Sequence, residues 1–241
     1  MKINLKRLNW QRIISAVVLL SLIWAVIYTV IALVNAPSDI DVSKPYTRLK
    51  SDYVLMLLQC IVGILAILLP GLFIRKFKIQ IQSYMIILYT IFLYCAIYLG
   101  EVRSFYYTVP HWDTILHTFS GAMLGALGFS FVNILNKTER VPVNLSPVFV
   151  ATFAFCFAVA LGTVWEIYEF TADGILQTNM QKFALENGDK LIGRDALSDT
   201  MKDIIVDCIG ALAMSVIGYF SLKLKKGWIE KFQITMKKHD K

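Results

Sequence analysis

Six stretches of this sequence are long and apolar enough to cross a bilayer, and nothing else in it restricts the fold so strongly. They cover residues 13–34, 53–74, 81–100, about 112–135, about 148–170 and about 200–222. A hydrocarbon layer of roughly 30 Å takes about 20 residues of helix, and inside it every backbone N–H and C=O must be bonded within the segment. Each stretch is therefore expected as a helix. Together they use more than half of the 241 residues, 57% of which are hydrophobic and only 17% charged. That composition excludes a water-soluble globule and leaves no room for a separate soluble catalytic domain. The expected fold is all-α: one polytopic membrane domain over residues 1–241, with an outer loop at 171–199 and a basic tail at 223–241.

Basic residues are retained on the cytoplasmic side of a membrane, so their placement sets the orientation. With six spans and the N-terminus inside, sixteen of the 24 Lys and Arg fall in inner segments and eight in outer ones. The inner set includes Lys2, Lys6, Arg7, Arg12, Arg75, Lys76, Lys78, Lys137, Arg140 and the tail from Lys223. The outer set includes Lys44, Arg48, Arg103, Lys182 and Arg194. Both termini are expected in the cytoplasm, and the first span reads as a retained anchor. The tail mixes lysines with Trp228, Ile229, Phe232 and Ile234. It suits an anionic headgroup surface, or is ordinary positive-inside charge.

The ionisable residues left over gather on the last three spans. Asp113 and His117 are i and i+4 at the outer end of the fourth span, hence on one helix face. Glu166 and Glu169 are i and i+3 at the same level of the fifth. Asp199, Asp203 and Asp207 form one stripe on the sixth, while Glu101, Arg103 and His111 sit at the same rim. Asp207 is 16 residues from Lys223, about 24 Å of helix, so a span of about 30 Å takes in Asp207 and reaches towards Asp203. A carboxylate there costs about 3 kcal/mol to insert and usually marks a ligand site or an ion path.

Crowded acids need a cation, protons or basic partners. In one reading Asp113, His117, Glu166 and Asp203 ligate a divalent metal, with zinc, manganese or magnesium suiting a mixed imidazole and carboxylate set. Glu169 and Asp207 are then catalytic candidates, Glu169 as general base, and Arg103 and Arg194 would meet an anionic substrate. In a second, the acids carry protons or cations for a transporter. In a third, Arg103, Arg194 or Lys202 neutralises a structural polar core. Each short motif alone is common by chance; their convergence from three helices is the stronger signal.

Gly121, Gly125 and Gly128 on the fourth span, Gly162 on the fifth and Gly210 on the sixth permit close helix approach. Cys60, Cys95, Cys156 and Cys208 all fall in apolar stretches and are expected as small buried hydrophobes. The outer loop is long enough to cover the acids, and residues 175–186, with Met180 and Phe183 among their apolar side chains, are expected to form a short interfacial helix.

The segments WDTILHTFSG, GTVWEIYE and DTMKDIIVDCIGA together resemble the YjdF-like bacterial integral membrane proteins. Their order is also similar to that of the VanZ-like family, from which the chain departs at Glu169 and Asp207, where glutamine-like and asparagine-like residues are expected. The resemblance covers roughly residues 112–212. It implies a multi-pass protein of the bacterial inner membrane with a link to the cell envelope; an envelope or lipid-linked substrate is what the metal reading of the acidic pocket expects, and no nucleic-acid partner is expected.

Overall fold

A computed structural model describes residues 9–38, 48–136, 145–185 and 187–236. The charges of Lys2, Lys6, Arg7, Lys44, Lys137 and Arg140, and the end of the tail from 237, lie outside the described residues.

Among the described residues, six helices long and apolar enough to span a membrane account for most of the fold, as the hydropathy pattern requires. They are α1 (Trp10–Asn35), α2 (Lys50–Lys76), α3 (Ser83–Leu93) with a π-helical continuation (Tyr94–Val102), α5 (Trp112–Asn136), α6 (Pro147–Leu176) and α7 (Arg194–Lys223). A single-turn helix, α4 (Phe105–Thr108), follows the π-helix. Local chemistry sets several of the starts. Asn9 accepts from the Arg12 N–H, Ser146 accepts from the Phe149 N–H with Pro147 in the first turn, and the Asp52 carboxylate accepts from the Leu49 N–H at 2.8 Å.

The helices form two groups of three. Val18, Leu22 and Ala25 of α1 meet Met56 and Cys60 of α2 and Leu93 and Ile97 of the third span. Phe129 and Val132 of α5 meet Val150, Ala151 and Ala154 of α6. Large apolar side chains such as Leu20, Trp24, Leu65, Phe170, Ile205 and Ile209 are turned outward, as helices solvated by lipid require.

Three expectations are corrected. Residues 175–186 do not form their own helix: Ile175 and Leu176 complete α6, Gln177 turns left-handed at φ 55°, and residues 177–185 run as an irregular strap with one bridge, Ala184 to Lys190. Glu186 lies outside the described residues. As far as residue 236 the tail packs against the bundle instead of lying on a headgroup surface: Ile229 is fully buried against the α5–α7 group and Ser130 accepts from the Ile234 N–H. Strand β2 (Thr235–Met236) then pairs antiparallel with β1 (Ile79–Gln80) in the turn between α2 and α3. Finally, of the four cysteines only Cys60 is buried; Cys95 and Cys208 are partly exposed and Cys156 is exposed, and all four are free.

Candidate metal centre

Glycines bring α5 and α7 together first. A Cβ on Gly210 would strike the Thr118 carbonyl, and one on Gly121 would strike the backbone of Asp207, so the two helices touch main chain to main chain at this level. A Cβ on Gly162 of α6 would lie 2.6 Å from Asp207 Oδ2, so the third helix closes over the same carboxylate. The small-residue pattern thus builds the place where the acids meet.

Asp113, His117 and Asp203 there offer one ligand atom each, all within 4.8 Å of one another. His117 sits between two acids: Nε2 lies 3.6 Å from Asp113 Oδ1 and Nδ1 lies 3.4 Å from Asp207 Oδ2. With the proton on Nδ1 shared with Asp207, the Nε2 lone pair faces Asp113, the orientation in which metal-bound histidines are usually held by a second carboxylate. Asp207 is itself fixed by Ser120, whose Oγ lies 2.8 Å from both Asp207 Oδ1 and the His117 carbonyl and donates its one proton to either. Asp203 and Asp207 are both nearly fully buried.

Glu166 stands apart from this trio. It lies one turn beyond Gly162, only 3% exposed, and neither carboxylate oxygen has a hydrogen-bond partner among the described residues. A buried acid with no partner is costly and calls for a cation or a proton. Glu169, half-buried, accepts from the Trp165 indole N–H at 2.8 Å. Asp199 lies on α7 one turn before Asp203.

The three cations read from sequence as neutralisers, Arg103, Arg194 and Lys202, are exposed and form no ion pair among the described residues. Lys182 answers the acids instead, while His117 hydrogen-bonds to Asp207. The Lys182 ammonium pairs with Glu101 at 3.7 Å and lies 5.0 Å from the ring centres of both Tyr106 and Tyr107. Burial works against its charge, but Glu101, Tyr107, Asp113 and Glu169 push harder the other way and hold its pKa above the ordinary lysine value. Burial, with Asp113, Glu101, Glu169 and Asp203 around it, raises the Tyr106 phenol well above its usual range, so that it faces the acids uncharged.

Nothing in the loop sequence marks Lys182, because its position depends on Asp173. That buried carboxylate, near the end of α6, accepts from Thr178 Oγ1 at 2.6 Å, the Met180 N–H at 2.8 Å and the Gln181 N–H at 2.9 Å. The chain folds back, Met180 packs against Leu55 and Ala172, and Gln181 donates to Thr200 Oγ1 of α7 at 2.8 Å. Glu101 is delivered by the π-helix, a form that recurs at functional sites. Tyr106 packs on Gly100, where a Cβ would lie 2.5 Å from its ring.

Residues 10–224, nearly the whole chain, match a family model described as predicted membrane protein (DUF2238). The chain belongs to that family. An uncharacterised protein of Thermotoga maritima is 34% identical over 122 residues, covering 50% of this chain and 54% of the relative. The chain thus spans about half the length of the curated relative it matches. No solved structure matches. These findings agree with the resemblance to the YjdF-like membrane proteins, and the family match runs through the first three spans as well.

Proposed function

We propose that this protein binds a divalent cation at the end of the α5–α7 group and uses it on an envelope or lipid-linked substrate. The observation carrying this reading is the Asp113, His117 and Asp203 trio, with ligand atoms within 4.8 Å and His117 oriented by Asp207. The unpartnered Glu166 nearby supports it independently. One imidazole and two carboxylates suit zinc, manganese or magnesium and leave coordination positions open for water and substrate. Such a cation supplies Lewis acidity at a phosphoryl or carbonyl oxygen. Glu169 is the candidate general base, and Asp207 is better read as positioning His117 than as touching substrate. We place the site at the outer face of a bacterial inner membrane with both termini cytoplasmic, on the distribution of Lys and Arg.

Metal analysis of the purified full chain tests the site. One equivalent of metal is expected in the wild type and loss of it in Asp203→Asn. No stoichiometric metal, together with an unchanged melting temperature on adding zinc, manganese or magnesium, would overturn the reading.

Glu166 also favours a second reading, a proton- or cation-coupled transporter, since a buried acid without a partner is a natural carrier site. In proteoliposomes that reading requires ion-driven flux which Glu166→Gln abolishes while bound metal is retained. A nonenzymatic assembly role would follow if alanine at all six of Asp113, His117, Glu166, Glu169, Asp203 and Asp207 left the cellular phenotype intact.

A further inference from the structure

A cavity of about 260 Å³ lies beside the acidic centre, between the start of α2, the end of the third span and the strap. It is separate from the trio: Asp113, His117 and Asp203 do not line it. We infer that this cavity binds the phosphate of an anionic lipid headgroup or of a soluble phosphate ester.

The argument is one of charge, donors and depth. Arg48 and Lys190 line the cavity, and neither forms an ion pair among the described residues. Arg48 donates to the Val102 and Glu101 carbonyls at 3.3–3.4 Å and to the Ser104 hydroxyl. Carbonyl dipoles hold the guanidinium in place without cancelling its charge, which leaves a fixed cation at the wall. Of the two acids that line the cavity, Glu101 is paired with Lys182 and Asp52 caps its own helix at the Leu49 N–H. The two cations of the lining, Arg48 and Lys190, are matched in number by these two acids, but with both acids engaged elsewhere they are the charges left to meet an anion. The neutral lining adds hydrogen-bond donors in the Ser104 and Tyr107 hydroxyls and the second amide hydrogen of Gln177, suited to the oxygens of a phosphate or of the polar group it carries.

Depth selects phosphate over other anions. The walls include the first turn of α2 and the end of the third span, where the hydrocarbon gives way to headgroups. Phosphate is the fixed anion at that level of a membrane, and basic residues placed there attract anionic lipids. The cavity takes a headgroup but not acyl chains, which would remain against the apolar outer surfaces.

Binding is measured on the purified full chain in detergent, with a chelator present so that the result does not depend on the metal reading. The probes are dioctanoyl phosphatidylglycerol and glycerol phosphate. The expectation is saturable binding of the short-chain lipid that weakens about tenfold in Lys190→Glu and in Arg48→Gln, with melting temperature checked for each. Lys190 is exposed, so its variant carries the test should Arg48→Gln fold poorly. Competition by glycerol phosphate would identify a soluble ester as a competent ligand; lipid binding without competition would identify the membrane as the source. No saturable binding of either probe, or equal affinity in wild type and Lys190→Glu, would overturn the inference.

Discussion

The imidazole of His117 on α5 and the carboxylate of Asp207 on α7 face each other at 3.4 Å, 90 residues apart in sequence, at the level where glycines let the two helices touch. This contact fixes which ring nitrogen is left for Asp113 and Asp203. Asp207→Asn should preserve the packing yet lower metal affinity by about 10–100-fold, the usual effect of losing a carboxylate behind a metal-bound histidine. Calorimetric titration with manganese or zinc checks this; unchanged affinity would remove Asp207 from the site.

Gly210→Ala should be severely destabilising, because its Cβ would meet the Thr118 carbonyl, which a helix backbone cannot move aside. Overpacking of that kind typically costs about 1–3 kcal/mol. Gly71 has nothing within 4 Å of its Cβ position, and Gly71→Ala should be neutral or stabilising by up to about 1 kcal/mol. Thermal unfolding of the two variants in the same detergent provides the comparison.

Asp173→Ala removes the acceptor shared by Thr178, Met180 and Gln181. Leaving such donors unmatched should cost about 1–3 kcal/mol, locally in the strap. Hydrogen exchange should rise across residues 177–185, with the helical core of α5–α7 still protected. Uniform loss of protection would mean that the strap is not a separate unit.

The Lys182 contact should be insensitive to pH through the neutral range and fail only in strong alkali. Its folded pKa lies above the unfolded value of about 10.4, so its contribution is complete below that value and disappears as pH rises through the folded pKa. Melting temperature followed from pH 7 to 11 in wild type and Lys182→Met should show a difference that persists to at least about pH 10. A difference vanishing near pH 8 would contradict the pairing with Glu101.

Ile229→Ala should cost about 2–4 kcal/mol, since the side chain is fully buried among Phe129, Val132 and Val150. Chemical denaturation in micelles measures it. An effect below about 0.5 kcal/mol would show the tail to be detachable.

The sequence by itself determined the helices and their contents. A run of about 20 apolar residues has one stable form in hydrocarbon, so the six spans follow from composition and length alone, and helical periodicity places Asp113 with His117 and Asp203 with Asp207 on shared faces. It could also name Gly121, Gly162 and Gly210 as points of close approach. Only the tertiary structure decided which atoms meet. That Asp207 backs His117, that Glu166 is left without a partner, and that Lys182, not Arg103 or Arg194, answers the acids all depend on helix rotation and on a strap folded by Asp173. Periodicity gives the face a residue occupies on its own helix. The angle at which that face meets the next helix comes from main-chain contacts between residues distant in sequence, and no local pattern records it.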